Sequence, residues 1–177
     1  MNTATGTLDA AQVWSWLGDV PDPEIPVISV VDLGIVRAVE VTGNDACVVT
    51  ITPTYSGCPA MQVIADAVTD ALREHGVENV TLVNQLSPAW TTDWMTPAAC
   101  DKLRQYGIAP PAPVVVDLHG RQEVKLHFKK LSVPVTPACP LCGSPNTELL
   151  SAFGSTSCKA LYRCITCREP FDYFKPY

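Results

Sequence analysis

The sequence predicts an α+β fold in two unequal parts, a small domain with helices packed on a three-strand sheet and then a four-cysteine ribbon. Three observations carry this. Residues 35–42 and 46–52 are β-branched and alternating, and Gly43-Asn44-Asp45 between them is turn chemistry, so they form a hairpin. Residues 59–75 put Ile64, Ala67, Val68, Ala71 and Leu72 on one helical face and Asp66, Asp70, Arg73 and Glu74 on the other. Cys139 and Cys142 form one Cys-x2-Cys pair, and Cys164 and Cys167 form a second after 21 intervening residues.

The remaining elements follow in order. Leu8, Ala11, Val13, Trp14 and Leu17 make an amphipathic helix that Gly18 ends. The prolines of PDPEIP, residues 21–26, impose a loop, because each fixes its own backbone and pushes the preceding residue towards extended conformations. Gly76 stops the long helix, and residues 77–83 are a third strand. Thr96 as N-cap and Pro97 at the first helical position open a shorter helix through Tyr106, closed by Gly107. Pro110, Pro111 and Pro113 stiffen a connector, beyond which Val124, Leu126 and Phe128 alternate with Lys125, His127 and Lys129 as in a half-buried strand. The expected division is therefore residues 1–108, a connector and strand at 109–137, and a ribbon at 138–177.

Composition narrows the function. With 177 residues, 47% hydrophobic and 17% charged, the chain has material for a packed core. No apolar run is long enough to span a bilayer, and MNTATGTLDAAQ has neither the basic flank nor the apolar core of a signal peptide, so a cytoplasmic protein without a membrane partner is expected. The net charge of −6 divides unevenly: residues 1–113 carry 13 acids and 4 bases, residues 114–177 carry 5 acids and 8 bases. The acidic half would repel a phosphate backbone, which argues against nucleic acid. A phosphate-binding glycine loop, a Glu-x-x-His pair and a dinucleotide fingerprint are all missing from the sequence.

In a reducing compartment eight cysteines point to metal ligands and core thiols rather than disulfides. The two Cys-x2-Cys pairs suit one tetrahedral zinc in a structural ribbon, whose small core needs the metal to fold; four thiolates also suit iron or an iron–sulfur centre. Cys158, six residues before Cys164, is a fifth thiol: a packed side chain, a substitute ligand or a metal carrier. Cys58 lies between Gly57 and Pro59 just ahead of the long helix, where the dipole and free N–H groups favour thiolate. It is either a functional thiol or a small N-cap residue. Cys47 and Cys100 belong to the core, and Trp90 and Trp94 pack over the sheet. Asp22, Glu24 and Asp32 are acids in or near the proline loop, solvated there or serving as general acids or ligands. His75, His119 and His127 show no ligand spacing.

DPEIPVISVVDLGIV (22–36), TPTYSGCPAM (52–61) and SPAWTTDWM (87–95), in that order, resemble the MIP18 family, whose members act in iron–sulfur protein maturation. With LRQYGIAPP and the cysteine-rich tail, the whole chain resembles the PaaD-like family of bacterial phenylacetyl-CoA epoxidase complexes. The resemblance implies a small MIP18-like α/β domain with Cys58 as its functional thiol, supported by Asp22, Glu24, Asp32 and Thr54 close by. It also implies a non-catalytic factor that carries iron or an iron–sulfur cluster transiently. Its partners would be the di-iron oxygenase component, the iron–sulfur flavin reductase component or both, in aerobic phenylacetate degradation, and a homodimer is compatible with this. A structural adaptor with an inert Cys58 is the alternative. A thiol enzyme would need a base, and no histidine is near Cys58 in sequence.

Overall fold

The computed structural model describes residues 8–55, 57–112 and 136–177. The strand expected at 124–129, His119, His127 and most of the 109–137 connector lie outside these residues.

The N-terminal unit opens with α1, Ala10–Leu17. Its start is fixed by Gln12, whose Oε1 accepts the Asp9 N–H at 3.1 Å, the reach-back half of a capping box. Val13 and Leu17 are fully buried, and α1 packs on α2 and β1. Strands β1, Val36–Val41, and β2, Ala46–Ile51, pair antiparallel across the expected turn. Helix α2, Ala60–Glu74, buries Ala60, Ile64, Val68 and Leu72, the four-residue spacing of one helical face. Pro59 is its N-cap rather than its first helical residue, so the helix starts one position later than expected.

Strand β3, Asn79–Asn84, pairs parallel with β2, which makes α2 a crossover helix and gives the sheet order β1-β2-β3. The strand begins two residues after Val77, its expected start. Gly76, at φ 87°, turns the chain back so that the Val77 N–H donates to the Leu72 carbonyl at 3.1 Å and caps the helix instead. Helix α3, Pro97–Tyr106, matches expectation at both ends, with Thr96 Oγ1 accepting from Ala99 N at 3.1 Å and Gly107 left-handed at φ 91°.

The C-terminal unit is a sheet of order β4-β7-β6-β5, formed by β4, Ile108–Ala109, β5, Thr147–Ser151, β6, Lys159–Cys164, and β7, Pro170–Phe174. Strands β5, β6 and β7 are antiparallel neighbours. The short β4 pairs parallel with β7, so the chain enters the ribbon's sheet at Ile108, before the prolines that the sequence marks as connector.

The two units share packing. Phe174 is 1% exposed and, with Cys158, joins the buried cluster made by the N-terminal helices and strands. Its ring lies 6.1 Å from Trp90, whose indole N–H donates to the Leu33 carbonyl at 3.0 Å. Tyr177 meets the same indole edge-on, and its carbonyl accepts the Thr92 N–H at 3.3 Å. Trp94 lies outside this cluster's centre, under the guanidinium of Arg37 at 3.5 Å.

Replacing Phe174 by Ala should lower the stability of the N-terminal unit by about 3–5 kcal/mol, the usual loss for a buried aromatic. Denaturant unfolding followed by far-ultraviolet circular dichroism of the helices checks this, since Phe174 lies in no helix. An unshifted helical transition would mean that the two cores are energetically separate.

Candidate metal centre and thiol cavity

In the ribbon, Gly143 at φ 74° folds the chain back so that its N–H donates to the Cys139 carbonyl at 2.9 Å. Arg168, left-handed at φ 68°, does the same after the second pair, donating to the Cys164 carbonyl at 2.9 Å. These two knuckles bring the Sγ atoms of Cys139, Cys142, Cys164 and Cys167 within 4.8 Å of one another. Cys139 and Cys167 are 3.8 Å apart and Cys142 and Cys164 3.6 Å. A tetrahedron with zinc–sulfur bonds of about 2.3 Å has sulfur–sulfur edges of about 3.8 Å, so the set can hold such an ion with little movement.

Cys164 and Cys167 are pushed in opposite directions. The Cys167 N–H, 3.4 Å from the Cys164 sulfur, together with neighbouring donors pulls Cys164 down to about 6. Cys167 receives the Glu169 N–H, which lowers it, but burial and the adjoining thiols outweigh this and push it up to about 12. Four thiols this close cannot all ionise without a cation among them.

The second constellation forms where the units meet. Asp22 is 7% exposed and organises the proline loop: its Oδ1 accepts from Glu24 N at 2.9 Å and Ile25 N at 2.8 Å, and its own N–H donates to the Ile28 carbonyl at 2.9 Å. The loop thus tucks Ile25 and Ile28 into the core and carries Asp22 in with them, away from the solvated position open to a loop carboxylate. Asp22, Glu24, Thr54, Cys58, Cys158 and Phe174 line one cavity of about 20 Å³ whose other walls are apolar. Burial raises the Asp22 carboxyl, against the Glu24 and Ile25 N–H groups and Lys159. Burial, then the Asp22 charge, raises Glu24. Burial also raises the Cys158 thiol, against a 3.0 Å hydrogen bond with the Thr156 hydroxyl.

Cys58 is partly buried on the turn before α2, its N–H donating to the Tyr55 carbonyl at 3.2 Å and its carbonyl accepting from Met61 at 3.3 Å. With Pro59 as N-cap, Cys58 stands one residue outside the cap position, a weaker seat on the helix dipole than the sequence suggests. Of the three acids, Asp32 is engaged elsewhere. Its carboxylate accepts from Lys102 Nζ at 2.6 Å, Thr96 Oγ1 at 3.2 Å and Ser29 N at 3.2 Å, tying the proline loop to α3. Burial would raise it, but these donors outweigh burial and hold it below its ordinary value. Cys47 is buried in β2 and Cys100 half-buried in α3; burial raises both thiols. His75 stacks on Trp16 at 4.3 Å. The position of Cys158 beside Cys58 is what sequence reasoning missed; its one signal was a thiol in excess of the four that a tetrahedral site uses.

An α/β domain with a thiol, a buried acid and a half-buried one at one cavity, continued by a four-thiol ribbon, defines a class: residues 10–84 match the family described as iron-sulfur cluster assembly protein, and residues 125–175 the PaaD zinc beta ribbon domain. The chain is 50% identical over 164 residues to a putative 1,2-phenylacetyl-CoA epoxidase component of Escherichia coli (strain K12), covering 93% of this chain and 91% of that one. It belongs to the PaaD family. It is also 41% identical over 78 residues to the Fe-S protein maturation auxiliary factor SufT of Staphylococcus aureus (strain USA300), covering 44% of this chain and 88% of that one. Among solved structures, a domain of unknown function DUF59 from Bacillus anthracis aligns with TM-score 0.49 and 28% identity over 53% of this chain and 90% of its own. No helix among the described residues is long and apolar enough to cross a membrane.

Asp32→Asn should cost about 1 kcal/mol near pH 7, given three donors but a Lys102 that is largely solvated. Because the folded value is depressed, the contribution is present above the ordinary carboxyl value of 3.8 and is lost as pH falls through the folded one. Unfolding midpoints of wild type and variant should therefore converge as pH falls below 3.8 and through the folded value; a constant gap would mean that the charge is irrelevant.

Proposed function

We propose that this protein is a non-catalytic accessory factor that assists assembly of the iron–sulfur or di-iron centres of a phenylacetyl-CoA epoxidase complex, with Cys58 as the thiol that holds metal in transit. The observation that carries this reading is the shared cavity: Cys58 faces the same small space as the buried carboxylate of Asp22 and as Glu24. Thiolate and carboxylate together suit a cation of intermediate softness such as ferrous iron. Kinship supports the same reading, since the relatives include factors named for Fe-S protein maturation as well as a named epoxidase component. The oxygenase and reductase components of such a complex are the proposed clients.

The ribbon's role in this reading is structural. Cys139, Cys142, Cys164 and Cys167 hold one zinc, which stabilises the fold of the ribbon and so the position of the strands packed on the N-terminal core. A permanent site and a transient one call for different geometry. The ribbon thiols already stand at coordination distance, whereas the cavity groups form a looser set.

The alternative, an adaptor that only stabilises the complex, draws on the burial of Phe174 and Cys158 in the N-terminal core and on the name of the Escherichia coli relative. Cys58→Ser separates the two. Under the carrier reading the variant folds, but epoxidase isolated from cells that contain only this form is deficient in iron, and growth on phenylacetate is poor. Fully metallated epoxidase and normal growth would leave the adaptor.

Purified protein should contain one zinc per chain. Cys142→Ser should lose most of it, with at least about a tenfold fall in affinity, while Cys58→Ser retains it. Elemental analysis after dialysis against a weak chelator checks both; iron in place of zinc at the ribbon would overturn the structural assignment.

A further inference from the structure

Cys158 has no part in the ribbon's metal set. It is 5% exposed and lines, with Cys58, the cavity at the junction rather than the cluster of four ribbon thiols. It lies just ahead of β6, and its carbonyl accepts the Lys175 N–H at 2.9 Å beyond β7, so the ribbon's sheet fixes its position over the N-terminal core. Both Cys58 and Cys158 are free thiols. Asp22 is equally enclosed, and both of its backbone donors use Oδ1, which leaves Oδ2 as the oxygen for a further partner.

We propose that Cys58 and Cys158, with the carboxylates of Asp22 and Glu24, form a second metal site at the junction of the two units, which takes one divalent cation of the iron class. This rests on the carrier reading of Cys58 and deepens it by naming a second thiol, supplied by the ribbon, and the size of the cargo. Thiolate and carboxylate ligands in equal number match ferrous iron and its neighbours better than magnesium or calcium, which favour all-oxygen shells. The cavity of about 20 Å³ is room for one water-sized body. That space matches a single ion once the ligands close on it.

A neighbouring open groove of about 280 Å³ shares Glu24 and is walled by Tyr55, Pro59, Phe153, Thr156 and Ser157. Glu24 thus lines both spaces, an acid between the open groove and the two thiols. Among the described residues only the ribbon cysteines have ligand atoms already within 4.8 Å of one another. The junction ligands must draw together around the ion, which costs binding energy and suits a cargo that is released. Binding converts two thiols to thiolates and releases their two protons to solvent.

The test uses the full chain with zinc in the ribbon, kept anaerobic, and cobalt(II) as the probe. One further cobalt per chain should bind without displacing zinc, with a sulfur-to-cobalt charge-transfer band of two-thiolate intensity. Cys58→Ser and Cys158→Ser should each halve that intensity per bound cobalt and weaken binding at least about tenfold, as even outer-sphere changes commonly do. Glu24→Gln should weaken binding and leave the intensity per cobalt unchanged. Cys158→Ala, with zinc content and circular dichroism as checks of folding, guards against a serine that the enclosed site rejects. X-ray absorption on the cobalt-loaded wild type needs no variant: two sulfurs around cobalt are expected, and one or none overturns the proposal. A band that Cys58→Ser abolishes and both Cys158 variants leave intact overturns the two-thiol site while the Cys58 carrier stands. No cobalt beyond the ribbon's metal, together with no chromophore from iron and sulfide, overturns both. A cluster chromophore formed from iron and sulfide at Cys58 overturns the single-ion claim alone.

Discussion

Phe174 is the largest fully buried side chain among the described residues, yet it belongs to the ribbon and is buried among residues of the other unit. Most of what distinguishes this protein from a bare α/β domain follows from that seat. It places β7 against the N-terminal core, β7 carries β6 with it, and the residue just before β6 is Cys158. Trp90 forms the other side of the seat and is itself held by the Leu33 carbonyl, at the end of the loop that Asp22 organises. A hydrophobic contact thereby positions polar chemistry: without it, Cys158 would have no fixed relation to Cys58.

Electrostatics reinforces the arrangement. Lys159, 4% exposed, lies where the two units meet and is paired with Asp172 at 3.6 Å. Its charge acts on Asp22, Glu24 and Cys158. A buried lysine with a single partner is costly unless further anions surround it, and the loop acids supply them. The close approach of Gly154 to the Lys159 backbone and to Asp172 keeps that strip of the ribbon tight: a Cβ at Gly154 would stand 2.9 Å from the Asp172 carboxylate.

How much was legible in the sequence depended on the range of the interactions concerned. Helix α3 was readable to the residue because Thr96, Pro97 and Gly107 act within one turn of its ends. The hairpin was readable from the Gly43-Asn44-Asp45 turn, and the four ribbon cysteines from their spacing. The parallel pairing of β2 with β3 was not specified by local pattern, since α2 permits the crossover without dictating it. The addition of β4 to the ribbon's sheet was hidden behind three prolines. Asp32 looked equivalent to Asp22 and Glu24 by proximity in sequence, but a carboxylate's task is set by its donors, and Lys102 and Thr96 lie 70 and 64 residues further on. The same holds for Cys158, which is 100 residues from Cys58 and meets it only through the docking of Phe174.

That docking also sets an order of events during synthesis. The N-terminal unit leaves the ribosome first, with the turn that bears Cys58 uncovered, and the wall that encloses this thiol is translated more than 90 residues later. Enclosure waits for β6 and β7, which the second knuckle joins. A nascent chain therefore presents an open thiol, whereas a finished one presents a shielded cavity. In this design the closing of one set of thiols governs how long another stays open to solvent.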